Sequence, residues 1–374
     1  MKILYLAHVS TVLGANRSLL NLISGLNGEY ECTVIVPHEG PIVNELSLLE
    51  VKHRVIPFKQ SSVHMRGSWI AILLIPVRVC RIALVNLVAL IRLVIYVKKN
   101  KIQVIHSNSG AITLGYFVAK FAGIPHIWHL REFQDLDYNI EHWLGKQFLY
   151  KLLKKSSYII AISKSVAEHF YPAKCAVVYN GLYGELPFSI EVEKKLNFLF
   201  CGALIPTKGL ADAIEAIYKL NSHEVYADLI IAGEFHDKDF ETEINQLVDK
   251  YMIRSKVHFL GFTNDVSSHM QQSLALLMCS KNEGFGRVTV EAMINRCAVI
   301  GFDNAGTKEL IKDKETGFLY SSVEELVNAM KLVIEQPEER KKIEEQAYSY
   351  ARNEFSVRNY VSQVQEIYKF ATNG

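Results

Sequence analysis

Short runs of β-branched, leucine and aromatic residues recur along the chain between longer stretches whose apolar positions repeat every three to four residues. In the first half the runs are KILYLAHV, CTVIVP, HRVIPF, QVIHSN, HIWHL, YIIAIS and CAVVYN. After the more polar GLYGELPFSIEVEKK (181–195) the pattern starts again with NFLFCGAL, ADLIIAG, VHFLGF, LALLMCS, AVIGF and GFLY. Near-continuous apolar strands that alternate with helices are what parallel sheets buried on both faces require. The restart predicts an α/β chain of two Rossmann-like, doubly wound domains, residues 1–185 and 195–354, facing across a cleft. In such sheets ligands bind at the carboxyl ends of the strands, so function is sought in the loops that follow them. FSVRNYVSQVQEIYKF, within 355–374, reads as a last amphipathic helix.

One segment departs from this rhythm: SWIAILLIPVRVCRIALVNLVALIRLVIYVKKNK, Ser68 to Lys101. It is long enough to span a bilayer, yet Arg78, Arg81 and Arg92 interrupt it. Each central arginine costs an isolated spanning helix roughly 2.5 to 3.5 kcal/mol. At about 100° per residue, Arg78, Arg81, Arg92 and Lys99 fall within about 60° of one another, leaving a broad apolar face with Trp69 and Tyr96 near its ends. That pattern suits a helix lying in a membrane interface; the competing reading is a core helix whose arginines point to water.

Composition narrows the class. With 374 residues, 49% hydrophobic and 21% charged, the chain has the make-up of a soluble protein long enough for two cores. Its six cysteines sit singly, without CxxC spacing, which favours a reducing compartment. The opening MKILYLAHV reads as a first strand and lacks the regions of a signal peptide, so a cytoplasmic location is expected. The net charge of +2 hides an asymmetry: residues 1–187 hold 20 Lys and Arg against 11 Asp and Glu, and the remainder 21 against 28. The front half is the one suited to an anionic surface, such as the inner face of a plasma membrane.

Candidate chemistry concentrates in SKNEGFGRVTVEAM (280–293). The spacing of Glu283 and Glu291 is uninformative by itself, but the context is not. LALLMCS reads as a buried strand, SKNEGFG as a loop and RVTVEAMIN as a helical opening. Gly284 and Gly286 let the backbone approach a ligand, and the helix start offers free N–H groups suited to a phosphate. Carboxylates on either side can accept hydrogen bonds from the hydroxyls of two sugars, one beyond each end of a diphosphate. FCGALIPTKG adds Lys208 and Gly209 after another strand, and NAGTKEL adds Gly306 and Thr307. Three strand-end loops thus converge on a nucleotide-diphosphate site.

In this order, AISKSV, VVYNG, TKG, VHFLGF, EGFGRVTVEAM and AGTKELIKDKETGFLY resemble glycosyltransferase family 4 of the retaining GT-B enzymes, and the resemblance covers essentially the whole chain. The opening MKILYLAHVSTVLGANRSLLNLISGL is similar to that family's first strand, loop and helix. The resemblance implies metal-independent, cofactor-free transfer of a sugar from a nucleotide-diphosphate sugar to an acceptor hydroxyl, with configuration retained, in surface polysaccharide or glycoconjugate assembly. It also implies roles for individual residues. Glu283 contacts the donor sugar, the stretch Phe285, Gly286, Arg287 and Val288 holds sugar and distal phosphate, Glu291 binds the ribose, and Lys208 the pyrophosphate. Phe262 lies near the base, Gly14 lets the first loop approach the phosphates, and His129 stands beside the reacting carbon. Arg131, Glu132 and Arg17 are expected on the acceptor side. The terminal helix is expected to return to the first domain. Many family members carry an arginine where this chain has Ala203; Arg287 is the expected replacement, with Arg131 and Arg17 behind it.

Other readings are weaker. Asp135-Leu-Asp137 mimics a metal-holding DxD but follows WHLRE, away from the phosphate loops. A dehydrogenase would need GxGxxG and an acidic ribose ligand, and AHVSTVLGANRS provides neither. A GT-B sugar-nucleotide epimerase needs no lipid acceptor, and the basic apolar helix argues against it. A non-catalytic nucleotide-sugar-binding protein is disfavoured by the joint presence of Glu283, Lys208 and His129. No basic patch interleaved with aromatics points to nucleic acid. The expected partners are a nucleotide sugar, a lipid-linked saccharide and an anionic membrane surface.

Overall fold

In the computed structural model each of these apolar runs forms a strand, and the strands assemble into two parallel sheets. The structure describes residues 1–26, 28–64, 75–170, 175–183, 192–223 and 225–373. The chain divides into two units, Met1–Gly184 with Val357–Gly374, and Glu185–Ser356. Much of the polar stretch expected to join the domains, together with Trp69 and the expected helix start at Ser68, lies outside the described residues.

The first unit runs β1 (Lys2–Leu6), α1 (Gly14–Gly25), β2 (Glu31–Val36), α2 (Pro41–Leu48), β3 (Lys52–Val55), β4 (Ser62–His64) and α3 (Ile75–Asn100). It continues with β5 (Val104–Ser107), α4 (Leu114–Ala122), β6 (His126–Leu130), α5 (Asp135–Tyr138), β7 (Ile140–His142), α6 (Lys146–Lys155), β8 (Tyr158–Ala161), α7 (Lys164–Phe170) and β9 (Ala176–Val177). Its seven-stranded sheet has the order β3-β2-β1-β5-β6-β8-β9, parallel throughout. The chain winds outward from β1 in both directions, so the switch point lies between β1 and β5. The antiparallel β4–β7 pair was not legible in the sequence, because SVH and IEH are short and half polar.

Alternation along the strands sorts the core onto two faces. Ile3, Tyr5, Val34, Val36, Ile127 and Ile160 pack with Leu19 and Leu22 of α1. Tyr360, Val361, Val364 and Tyr368 of the terminal helix, Val357–Asn373, complete that layer, so this helix belongs physically to the first unit. On the opposite face Leu4, Leu6, Ile35 and Ile105 meet Ala89, Leu93 and Val97 of α3 and Leu114, Val118 and Ala119 of α4.

The second unit runs β10 (Asn197–Cys201), a 3-10 turn (Pro206–Lys208), α8 (Leu210–Ser222), β11 (Asp228–Ala232), α9 (Lys238–Lys250), β12 (Val257–Gly261) and α10 (Val266–Gln272). Then come β13 (Ala275–Met278), α11 (Arg287–Ile294), β14 (Ala298–Phe302), α12 (Ala305–Leu310), β15 (Phe318–Tyr320), α13 (Val323–Glu335) and α14 (Pro337–Glu354). The terminal helix is α15. The sheet order β12-β11-β10-β13-β14-β15 puts the switch point between β10 and β13. Phe198, Phe200, Leu229, Ile231, Leu277 and Ile300 bury against Leu210, Ile214 and Ile217 of α8 and Leu326 and Met330 of α13.

Candidate functional site

In the second unit the loops after β10, β13 and β14 lock together at the switch point. Gly209, at φ 75°, lies so close to the Cys279 carbonyl that a Cβ there would come within 2.3 Å of its oxygen. Ser280 Oγ donates to Thr207 O at 3.4 Å, Asn304 Nδ2 to Lys281 O at 2.8 Å, and the Gly306 N–H to Glu283 O at 2.8 Å. These bonds fix the segment from which Glu283 projects. Lys208 Nζ reaches Glu283 Oε2 at 2.6 Å, joining a cation on one side of the switch point to a carboxylate on the other.

Gly286, at φ 84°, turns the chain into α11 and leaves that helix without a side-chain cap. The positive end of its dipole therefore lies beside the Lys208–Glu283 pair. Phe285 is buried and packs against Phe355 at 5.8 Å, so only its backbone can meet a ligand. Val288 is half-buried. Arg287 Nη2 lies 3.2 Å from Glu291 Oε1, one turn along the same helix. The expected phosphate cation and the expected ribose carboxylate are thus partners here. Thr289 and Thr307 are buried, and the Oγ1 of each has no hydrogen-bond partner among the described residues. Thr289 was not singled out in the sequence, although a hydroxyl three residues after a helix-opening glycine was a signal for it. Phe262, just past the end of β12, is 64% exposed.

In the first unit the carboxyl ends of β1, β5 and β6 carry a polar network. Asn16 Nδ2 donates to Val9 O and Thr11 O at 2.9 and 2.8 Å, shaping the loop before Gly14, which opens α1 at the surface. Asn108 Nδ2 donates to Ala15 O and Asn16 Oδ1 at 3.2 and 3.3 Å, which ties this loop to β5. Arg17 is exposed.

Arg131, expected on the acceptor side, is engaged within its own unit. It is buried, with Nε donating to Asn108 Oδ1 at 2.7 Å, Nη1 to Asn180 Oδ1 at 2.7 Å and Nη2 to Tyr360 OH at 3.0 Å. With Nε, Nη1 and Nη2 all engaged in its own unit, Arg131 is a weaker candidate than Arg287 to replace the arginine missing at Ala203. Glu132 is half-buried and accepts from Ser109 Oγ at 2.5 Å; burial pushes its carboxyl up, opposed by that bond and by Arg131. His129 is fully buried, its imidazole held well below the usual range by burial, then by Arg131 and His106. The loop residue His8 is lowered to about 4 by the same two effects, burial and Arg131. The sequence reading missed His106, Asn108, Asn180, Tyr360 and Tyr368. For Asn108 and Asn180 a signal was present, since VIHSN and VVYNG end buried strands in polar side chains.

Asp135 is held by Lys146 Nζ at 2.6 Å and His169 Nε2 at 2.8 Å, and Asp137 Oδ2 accepts from the Phe133 N–H at 3.1 Å. Helix α3 is buried along Ile82, Ala89, Leu93 and Val97. Its outer side exposes Leu84, Leu87, Val88, Ile91 and Ile95, with Arg81, Arg92 and Lys99 also exposed. It is long and apolar enough to cross a membrane, with mean hydropathy 2.1 over its most apolar window, of which 17% is buried.

Residues 12–183 match the family model described as Glycosyltransferase Family 4, and residues 185–350 the one described as Glycosyl transferases group 1. An uncharacterized glycosyltransferase of Methanocaldococcus jannaschii is 28% identical over 73% of this chain and 77% of its own length. A Campylobacter jejuni protein named as an α-1,4-N-acetyl-D-galactosaminyltransferase acting on an undecaprenol-PP-linked saccharide is 32% identical over 40% of each chain. The chain spans less than half the length of several other curated relatives it matches. Among solved structures, Anabaena HepE in complex with UDP superposes with a TM-score of 0.81 at 21% identity, covering 99% of this chain and 100% of that one. The two-domain α/β architecture with parallel sheets is the GT-B one.

Proposed function

Because the chain belongs to the glycosyltransferases, of family 4 in its first unit and group 1 in its second, we propose that it moves a sugar from a nucleotide-diphosphate sugar to an acceptor hydroxyl, retaining the anomeric configuration and using no metal. The observation that carries this reading is the Lys208–Glu283 pair across the switch point of the second sheet, beside the uncapped start of α11. A lysine and a set of backbone N–H groups suit a diphosphate, and a carboxylate next to them suits the hydroxyls of the sugar attached to it.

The chemical difficulty is the departure of a diphosphate, with negative charge growing on its oxygen. Lys208 and the N–H groups at Gly286 to Val288 meet that charge without reorganising, which stabilises it in place of a metal. The bond from anomeric carbon to phosphate oxygen breaks, the acceptor oxygen bonds to the same face of the sugar, and the acceptor proton passes to the departing phosphate. Glu291 takes the ribose and Phe262 flanks the base. The Asp135 and Asp137 carboxylates, engaged by Lys146, His169 and a backbone N–H, take no part.

The acceptor in this reading is a saccharide on a lipid carrier, and the enzyme works peripherally on the inner face of the plasma membrane. Two observations favour it: the exposed apolar side of α3 with its arginines, and the lipid-linked substrate in the name of the Campylobacter relative. A calorimetric screen of UDP-, ADP-, GDP- and TDP-sugars, then product analysis with a polyprenyl-diphosphate saccharide in the presence of EDTA, tests the proposal. Failure of every nucleotide sugar to bind, an inverted product, or loss of turnover in EDTA would overturn it.

A further inference from the structure

Beneath α15 a file of buried side chains leads from the terminal helix to His129. Tyr5 OH and Tyr368 OH are 3.0 Å apart, and Tyr368 OH is 2.8 Å from His106 Nδ1. His106 Nε2 is 3.1 Å from His129 Nδ1, and Arg131 Nη2 approaches the same Nδ1 at 3.3 Å. Tyr5, Tyr368, His106 and His129 are all fully buried.

The proton positions follow from one fact: a guanidinium can only donate. His129 Nδ1, facing Arg131, is therefore an acceptor. His106 Nε2, facing the same lone pair, carries its own proton, so His106 Nδ1 accepts from Tyr368 OH. The Tyr368 oxygen is then free to accept from Tyr5. A neutral imidazole has one proton, which leaves that of His129 on Nε2. That nitrogen is buried and has no hydrogen-bond partner among the described residues. Such a buried donor costs free energy unless something completes it.

We propose that Arg131, His106 and Tyr368 are positioning residues that hold His129 in its Nε2–H tautomer, so that it presents a fixed hydrogen-bond donor to a hydroxyl of the bound sugar and does not act as a base. The identity of the acceptor group rests on the glycosyltransferase reading; the tautomer does not. The second nitrogen of each ring sets the role of the first, and α15 reaches the reaction through this file without touching substrate. The low pKa of both imidazoles, caused by burial and by Arg131, agrees with neutral rings.

Long-range proton–nitrogen NMR on the full-length protein labelled with nitrogen-15 histidine tests the tautomer without any ligand, with His129 assigned by its absence in His129→Gln. The expected result is the Nε2–H pattern at pH 7; an Nδ1–H pattern or an imidazolium overturns the proposal. Tyr368→Phe takes the donor from the His106 Nδ1 lone pair, so the His106 Nδ1 signal moves downfield while its Nε2–H stays, and kcat falls several-fold at constant donor KM. Unchanged His106 and His129 signals would remove Tyr368 from the file. Glutamine can place an N–H near the position of Nε2, so His129→Gln keeps turnover within about tenfold while His129→Leu loses on the order of 100-fold, as for a lost transition-state donor. Equal losses in the two variants overturn the donor role. Failure of the glycosyltransferase reading itself shows separately, as absent turnover and absent nucleotide-sugar binding in the wild-type protein.

Discussion

Lys208 and Glu283 meet at 2.6 Å with side chains 29% and 18% exposed, and a partly buried pair of this kind contributes only about 1 kcal/mol to folding. In the proposed reaction its value lies in what the two groups do to the donor. Lys208→Ala is therefore expected to leave the melting temperature within a few degrees of wild type while lowering kcat by about 100-fold, the scale of a lost charge stabiliser at a leaving group. A variant that loses stability and activity in proportion would make the pair structural. The cation absent at Ala203 poses a sharper question. Arg287 lies at the helix start with Nη2 on Glu291 at 3.2 Å, so to serve it must meet phosphate through its remaining N–H groups or exchange that carboxylate for it. Arg287→Ala is expected to weaken donor affinity and turnover by about tenfold or more, as loss of a charge-assisted contact to phosphate does. Glu291→Gln should weaken nucleotide binding and spare the affinity for inorganic pyrophosphate. If Arg287→Ala retains wild-type donor affinity and turnover, Arg287 is not the replacement. The loops that carry these residues were legible because glycines and a strand–loop–helix pattern surround them. The bonds of Arg131 were not legible, because a charged residue at a strand end looks the same in sequence whether it faces a ligand or, as here, bonds to the asparagines of its own unit.

At the scale of elements, α3 is the departure from an otherwise regular winding. Ile82, Ala89, Leu93 and Val97 recur at intervals of seven and four and hold it to the first unit, while Leu84, Leu87, Val88, Ile91 and Ile95 remain exposed on the other side. Soluble proteins rarely leave so contiguous an apolar surface, and Arg81, Arg92 and Lys99 beside it each add roughly 1 kcal/mol at an anionic membrane. The protein is expected to pellet with vesicles containing phosphatidylglycerol, and less so as salt rises. The double variant Leu87→Asp, Ile91→Asp should lose most of that binding and keep its fold, because both positions are exposed. Equal pelleting of variant and wild type would rule out this face as the contact. Both halves of the helix's character could be read from its period, as could the strands of the two large sheets, since burial on both faces forces runs of apolar residues. The β4–β7 pair could not, because three-residue strands held by backbone bonds leave too little side-chain pattern. The tyrosines of α15 showed their amphipathic spacing but not their partners, since Tyr368 and His106 are 262 residues apart.

For the whole molecule, the two units are built on the same winding but differ in what they bury. The first unit holds His8 and His142 at about 4, His126 at about 3, and His106 and His129 well below the ordinary value, burial being the leading cause for each. Geometry agrees: the Leu144 N–H donates to His142 Nδ1 at 3.0 Å, which requires a lone pair there. The folded pKa of each ring lies below its unfolded value of about 6.5, so below that pH the unfolded chain binds more protons than the folded one. The stability these neutral rings represent is complete above pH ~6.5 and is lost as pH falls towards their folded values, at up to about 1.4 kcal/mol per pH unit for each ring. In the second unit the buried Glu344 leans the other way: burial raises its carboxyl, so its contribution improves as pH falls through that raised value. The first unit is therefore expected to unfold before the second on acidification. Calorimetric scans from pH 8 to pH 5, with limited proteolysis at each step, should show one transition moving down while the other changes less, and early cleavage confined to residues 1–183 and the terminal helix. His126→Gln, which keeps a group able to bond Ser107 Oγ but cannot titrate, should flatten the slope of the moving transition. Transitions that fall together with equal slopes, or a slope unchanged by His126→Gln, would mean that the buried histidines do not set the acid limit of the fold.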